Sequence, residues 1–442
     1  MFTSSLYVRA PIWLQNIMLS VRALSRKLVR ENGEMRAVLK EIQTNEYSKA
    51  QLAKYQQQQL QHVLENACQN VPFYERLGLA NSPIQAFPYL DKTVLRSEHE
   101  QFISQMKPSV VVKGATSGTT GTPLTILQDM RSVIREQAFV ARQLSWAGYR
   151  KGDKRAWIRG DMVVPLSQKQ GSFWRYSWFE QMIVLSSFHL TPQAMPNYLQ
   201  AMVDFGVDII QAYPSSIAAL ARYLEANQIY YPAKLKSIIT SSESLSEEDR
   251  KVIETRFKCK IFDWYGLFER VAAIGECEHH RYHLLTDYSQ VELLDAGQDR
   301  YELVGTNFNN HYFPLIRYKT GDHVHLSENE ACPCGRVFPV IKRIEGRVGD
   351  YLVGEDGQKI HILNHIPKGV NGLLATQFLQ KDVNKITVLV VVESRVFDMT
   401  QEEILIKNTK DRIGKNICVE IVKVDSIPKT KNGKTRQAIC LI

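Results

Sequence analysis

No N-terminal segment of this 442-residue chain is suited to crossing a bilayer: its most apolar stretch there, residues 12–30, is too short and too charged to span one. Cysteine is sparse. Seven in a chain of this length, with no secretory signal pattern, predict a reducing cytoplasm and metal-bound or structural thiols in place of disulfides. No block of Lys and Arg is long enough to favour nucleic acid, and no nucleic-acid partner is expected. The net charge of +9 and the pI near 9.0 suit an anionic ligand or an anionic surface. No Gly-Lys-Ser/Thr follows a glycine-rich turn at Walker A spacing, and no His-Glu-x-x-His marks a hydrolytic metal centre. What is present is ordinary for a globular protein, with 44% hydrophobic and 23% charged residues, and the length predicts two or three domains.

The most informative stretch is Ala115-Thr116-Ser117-Gly118-Thr119-Thr120-Gly121-Thr122-Pro123-Leu124, which follows the β-prone Val110-Val111-Val112. Gly118 and Gly121 permit backbone angles closed to other residues and a close approach of N–H groups to an anion, while Ser117, Thr119 and Thr120 add hydroxyl donors. A flexible spacer would need neither the Thr-Thr pair nor the stiffening proline, so a phosphate-holding loop is expected.

Further along, apolar runs leading to turns and then helices recur, as in Arg131 to Trp146 before Arg155-Ala156-Trp157-Ile158, and in Val207-Asp208-Ile209-Ile210 before Tyr213-Pro214-Ser215-Ser216. Strand, turn and helix units in series imply an α/β fold with a largely parallel sheet, whose ligands collect at the carboxyl ends of strands. Ser246 and Asp249 form a capping pair for a helix from Glu247 to Phe257. The tail from about residue 351 reads as a compact α+β domain, with a strand from Lys385 to Val392, a helix from Thr400 with Glu403 completing a capping box, and a strand from Ile417 to Val424. Residues 12–30 place Leu14, Ile17, Met18, Val21, Leu24 and Leu28 at helical spacing beside Arg22, Arg26, Lys27 and Arg30. They are expected to form a helix packed on the main domain; the alternative is an interfacial helix on anionic lipid with Trp13 as its anchor.

The loop at 115–124 resembles the nucleotide loop of adenylate-forming enzymes, the acyl-CoA synthetase superfamily, and further stations of that family follow in order. Asn70-Val71-Pro72-Phe73-Tyr74 and Pro88-Tyr89-Leu90-Asp91-Lys92 resemble early segments of phenylacetate-CoA ligase-like proteins. Ser242, Glu243 and Ser244 match a station whose backbone faces adenine. Asp263-Trp264-Tyr265-Gly266-Leu267-Phe268-Glu269 resembles "Y-G-x-T-E", which gives Tyr265 and Gly266 to the adenine and Glu269 to the Mg²⁺ on the triphosphate; Phe268 replaces the family's Thr. Tyr318-Lys319-Thr320-Gly321-Asp322 resembles the ribose-binding station, with Asp322 accepting from both hydroxyls. Arg343-Ile344-Glu345-Gly346-Arg347-Val348-Gly349-Asp350 resembles the hinge, with Arg343 and Arg347 as nucleotide contacts and Asp350 as pivot. Pro428-Lys429-Thr430-Lys431-Asn432-Gly433-Lys434-Thr435-Arg436 resembles the segment whose lysine, here Lys434, enters the active site during adenylation.

The resemblance, closest to the phenylacetate-CoA ligase-like and CapK-like branch, implies a large ATP- and carboxylate-binding domain over residues 1–346, including an N-terminal helical segment 1–45, a hinge at 347–350, and a small mobile domain at 351–442. It implies an AMP-forming carboxylate ligase using ATP and Mg²⁺, with Thr119, Glu269 and Lys434 catalytic and Ser117, Gly118, Thr120 and Gly121 on the phosphates. CoA is the expected acyl acceptor; an amine or hydroxyl of a surface polysaccharide is the alternative. Under either reading the protein is cytoplasmic, with peripheral association with the inner membrane or a polysaccharide assembly left open. Cys277, His283, Cys332 and Cys334, with His279 or His280 as substitutes for His283, supply the four ligands that a closed structural Zn²⁺ site needs. Tyr213, Phe188 and Trp264 suit the wall of an acyl pocket.

Overall fold

The computed structural model describes every residue except 1, 3, 116–123, 329, 330, 348–350, 361, 362, 364 and 431. The chain divides into two compact units: residues 1–24, 149–261 and 348–442 form one, and residues 25–148 and 262–347 the other.

In the first unit, the strands Ser237–Ser241, Ile209–Ala212, Arg155–Arg159, Met182–Ser186 and Trp174–Ser177 lie side by side in that order. The first four run parallel and the last antiparallel. Their residues are buried on both faces where helices cover them, which is why Ile209–Ala212 and Met182–Ser186 read as continuous apolar runs without alternation. The helix Met195–Phe205 ends at Gly206, whose φ of +73° supplies the left-handed cap. The helix Pro214–Ala226 starts with proline at its first position, and the helix Glu247–Phe257 begins where Ser246 Oγ accepts the Asp249 N–H at 3.0 Å, the cap read from the sequence.

The same unit contains a four-stranded sheet in the order Cys418–Lys423, Lys385–Val392, Leu373–Asp382, Ala438–Cys440. Its alternating apolar residues, Ile386, Val388 and Val390, close a separate core with Leu405 and Ile413 of the helix Met399–Ile413. The cap of that helix differs from the expected capping box. Asp398 Oδ1 accepts the Gln401 N–H at 3.1 Å, so the helix begins before Thr400.

The N-terminal helix Ile12–Arg30 forms and packs as expected, but not through its apolar face. It packs on the first unit through Gln15, Asn16, Leu19, Ser20 and Ala23, a mainly polar face, while Trp13, Ile17, Val21 and Leu28 stay exposed. Hydrogen bonds from its polar residues dock it together with burial of Leu19 against Val163, Val164, Met182 and Val184.

The second unit is mostly antiparallel, with strands Ser289–Asp295, Arg300–Asn307, Tyr318–Leu326, Val340–Arg347, Tyr282–Leu284, Ala273–Glu276 and residues 262–266 in succession. A two-stranded hairpin, Val111–Ala115 with Thr125–Asp129, pairs Ala115 with Thr125 and so brings together the two ends of the 116–123 segment. A buried ion pair holds the helix Met130–Trp146 to this unit: Arg142 lies 2.5 and 3.0 Å from the carboxylate of Asp287 and donates to Ile42 O at 3.2 Å.

Candidate functional site: a nucleotide and carboxylate centre

In the first unit, the carboxyl ends of the parallel strands converge on the Lys434 segment. Residues 428–436 fold back in a tight turn, with Gly433 N–H donating to Thr430 O at 2.8 Å and Thr430 N–H to Lys434 O at 2.9 Å. The turn lies on Gly160, directly after the strand Arg155–Arg159. A Cβ placed on Gly160 would come within 1.8 Å of Asn432 O, so only glycine admits this contact. Tyr213 Oη donates to Asn432 O at 3.0 Å.

Glu243 ties three elements together. Its Oε2 accepts the Ser215 N–H at 3.0 Å, in the first turn of the helix Pro214–Ala226, and its Oε1 accepts the Thr435 N–H at 2.7 Å. An anion at a helix N-terminus is favourable, so Glu243 is a staple between strand end, helix and the Lys434 turn. Burial pushes the Lys429 ammonium down, opposed by the nearby Glu243 charge. Ser242 and Ser244 are exposed beside it, and Ser242 holds φ at +72°, a strained setting for a residue with a Cβ.

Arg159 is a residue that the sequence reading passed over. Its Nη2 donates to Ser242 Oγ at 2.7 Å and also to Ser241 Oγ, and its guanidinium lies 4.8 Å from the ring centre of Trp157 and 5.0 Å from that of Tyr213. Burial pushes its pKa down against the charges of Asp161 and Glu243 and the Tyr213 hydroxyl. The available signal was an arginine at the carboxyl end of an apolar strand, a polar residue where ligands collect.

In the second unit, Tyr265 and Asp322 meet: Tyr265 Oη donates to Asp322 Oδ2 at 2.7 Å. Tyr318 Oη donates to Glu269 Oε1 at 3.3 Å, holding one oxygen of a carboxylate that is otherwise buried. Antiparallel pairing sets Asp322 opposite Arg347, while Arg343 donates to His325 Nε2 at 2.9 Å on the same sheet. Gly266 follows Tyr265 on the strand Lys260–Gly266. Phe268, in place of the family's Thr, presses its ring on Gly114 in the hairpin that flanks residues 116–123; a Cβ on Gly114 would lie 2.0 Å from it. Ser117, Gly118, Thr119, Thr120 and Gly121 lie outside the described residues, as do Asp350 and the side chain of Arg347.

Cys277, His283, Cys332 and Cys334 converge, with one ligand atom from each lying within 4.8 Å of the others. The Cys277 and Cys332 Sγ atoms are 3.7 Å apart and Cys334 Sγ is 3.4 Å from His283 Nε2. A tetrahedron with metal–sulfur bonds of about 2.3 Å and a metal–nitrogen bond of about 2.0 Å has edges of about 3.8 and 3.5 Å, so the donor set fits Zn²⁺. His283 Nδ1 lies 3.4 Å from Phe338 O, which orients the ring so that Nε2 faces the thiols. Burial holds the imidazole at about 4, hence neutral and able to ligate, and pushes the Cys277 thiol up to about 12 in the absence of a cation.

Residues 352–440 match the family model of the CapK C-terminal domain. Over 98% of its length the chain is 26% identical to protein CapK of Staphylococcus aureus, covering 98% of that protein. The chain is similar along nearly its whole length to CapK and over most of it to phenylacetate-coenzyme A ligases. A phenylacetate-coenzyme A ligase of Pseudomonas putida is 28% identical over 68% of this chain and 72% of its own. The CapK-like chain also shares its fold with 2-hydroxyisobutyryl-CoA ligase in the postadenylation state, at a TM-score of 0.66 and 18% identity over 90% of this chain and 91% of that one. Among the described residues no helix is long and apolar enough to cross a membrane.

Proposed function

We propose that this chain activates a small carboxylic acid with ATP, forming acyl-AMP and pyrophosphate, and then transfers the acyl group to the thiol of CoA with release of AMP. The observation that supports the reading is the seating of the turn that contains Lys434 on Gly160, Tyr213 and Glu243, at the carboxyl ends of the parallel strands where ligands of such sheets collect. Lys434 and Arg159 there supply positive charge to the reacting carboxylate and the α-phosphate. Attack by the carboxylate oxygen needs no side-chain nucleophile; it needs alignment and neutralisation of charge.

The remaining roles follow the same chemistry. Asp322 accepts the ribose hydroxyls, Tyr265 and Gly266 are assigned to adenine, the backbone of Ser242, Glu243 and Ser244 matches the family's adenine-facing station, and Arg343 and Arg347 are assigned to the sugar and phosphates. Ser117, Gly118, Thr119, Thr120 and Gly121 hold the triphosphate. Glu269 fits Mg²⁺ by offering a hard carboxylate oxygen, and the ion would neutralise the departing pyrophosphate. Cys277, His283, Cys332 and Cys334 fit a structural Zn²⁺, closed by four protein ligands and so without an open position for chemistry. For the reaction cycle the proposed functional division, distinct from the two compact units of the fold, is a large body over residues 1–346, a hinge at 347–350 and a mobile small domain at 351–442.

A second reading, which follows from the sequence resemblance, has an amine or hydroxyl of a surface polysaccharide receive the acyl group. Pyrophosphate release by the purified protein, measured over a panel of carboxylates with and without CoA, separates the two. Release that depends on an acid, with thioester formed only when CoA is present, supports the first. Acid-dependent release without thioester supports the second. Lys434→Ala is expected to lower release by about a hundredfold or more; undiminished release would refute the role of that lysine.

A further inference from the structure

The N-terminal helix is inside out, and its polarity identifies a partner. Its three buried polar side chains are each engaged. Asn16 Oδ1 accepts the Tyr176 N–H at 2.9 Å, Ser20 Oγ accepts the Trp178 N–H at 3.0 Å, and Gln15 donates to Tyr7 O at 2.9 Å while its Oε1 accepts from Arg175. Tyr7, in the short preceding helix Ser5–Arg9, donates to Val163 O at 2.8 Å. These bonds fix the rotation of the helix about its axis.

That rotation leaves Trp13, Ile17, Val21 and Leu28 exposed along one outward face, with Leu24 half-buried beside them. Trp13 is 62% exposed, Val21 57% and Leu28 71%, and Leu6 in the preceding helix is 70% exposed. Scattered apolar residues on a surface need no explanation, but a continuous stripe on a helix that turns Gln15, Asn16 and Ser20 inward does. The helix is built to present its apolar side to a medium other than water.

The charge around the stripe selects the medium. Residues 1–30 contain Arg9, Arg22, Arg26, Lys27 and Arg30 and no Asp or Glu. A second copy meeting this face would bring like charge against like charge. A lipid surface with anionic headgroups provides both an apolar layer for the stripe and negative charge for the rim, with the Trp13 ring suited to the headgroup boundary. We propose that the helix Ile12–Arg30 docks this protein peripherally on an anionic lipid bilayer, lying in the plane of the interface with Trp13, Ile17, Val21 and Leu28 inserted.

Co-sedimentation of the full-length protein with vesicles tests this, using phosphatidylcholine alone against phosphatidylcholine mixed with phosphatidylglycerol. Binding to the anionic vesicles is expected to exceed binding to the neutral ones by roughly tenfold or more, and to fall when salt is raised to about 0.5 M. The triple variant Trp13→Ser, Val21→Ser, Leu28→Ser changes only exposed positions, so its thermal unfolding midpoint should stay while vesicle binding drops to the neutral level. Arg26→Gln with Lys27→Gln should weaken anionic binding alone. Equal binding to both vesicle types, binding to neither, or binding untouched by the triple variant would overturn the proposal. Self-association in solution that the triple variant abolishes, without vesicle binding, would also overturn it by assigning the stripe to a second copy.

Discussion

Gly160→Ala tests the Lys434 turn most directly, because its effect can be worked from one contact. Gly160 does not occupy a left-handed conformation, so alanine is accessible to its backbone and the added methyl is the whole perturbation. That methyl would sit 1.8 Å from Asn432 O and 2.5 Å from its carbonyl carbon, where a carbon–oxygen contact ordinarily needs about 3.3 Å. A displacement of about 1.5 Å must be found. The strand leading into Gly160 is held on both sides by parallel neighbours, so the turn at 428–436 is the part that yields. Retreat by that distance weakens the Tyr213–Asn432 bond and the charge-assisted bond from Thr435 N–H to Glu243, a loss of about 3 kcal/mol in seating energy.

At about 1.4 kcal/mol per decade, that loss raises the unseated population by roughly a hundredfold. Limited trypsinolysis reads the population without a known substrate. Cleavage after Lys434 should accelerate by about that factor in the variant, with circular dichroism unchanged. Acid-dependent pyrophosphate release should fall by about a hundredfold as well, since displacing a catalytic group by about 1 Å costs that much. Cleavage and release rates equal to those of the parent protein would refute the claim that the turn seats on Gly160.

The proposed zinc centre predicts about one equivalent of zinc by elemental analysis. Cys334→Ala should abolish it and lower the unfolding midpoint by roughly 10 °C, and chelation of the parent protein should do the same; a zinc-free protein indifferent to the substitution would refute the site. Asp287→Asn removes the bidentate carboxylate from the buried Arg142, leaving Glu46 at 3.7 Å as its remaining anion, and should cost about 3 kcal/mol in denaturant unfolding, whereas Arg142→Met with Asp287→Leu should recover part of it; equal losses in the two would refute the pairing. Burial holds His311 at about 4 from an ordinary value of 6.5, so the unfolded chain takes up its proton first as pH falls. Stability should therefore decline from about pH 6.5 down to about 4, by at most about 3 kcal/mol, and His311→Gln should remove that part of the decline; a variant with the parent's pH profile would refute it.

Local pattern and short-range chemistry made much of this protein readable. The helix Glu247–Phe257 and its Ser246 cap and the strand Lys385–Val392 are properties of contiguous residues, where capping, periodicity and turn chemistry act within a few positions. Other features depended on residues far apart in the chain. Spacing cannot bring Cys277 to Cys332; the antiparallel pairing of Tyr282–Leu284 with Val340–Arg347 does, by fixing the strands on which those segments are carried. Arg159 gained a role only when the carboxyl ends of separate strands put Ser241, Ser242 and Tyr213 around it. The sequence predicted an amphipathic helix at residues 12–30, but periodicity defines two faces without saying which is turned inward. The backbone N–H groups of Tyr176 and Trp178 made that choice, because they needed acceptors and the polar face of the helix supplied them.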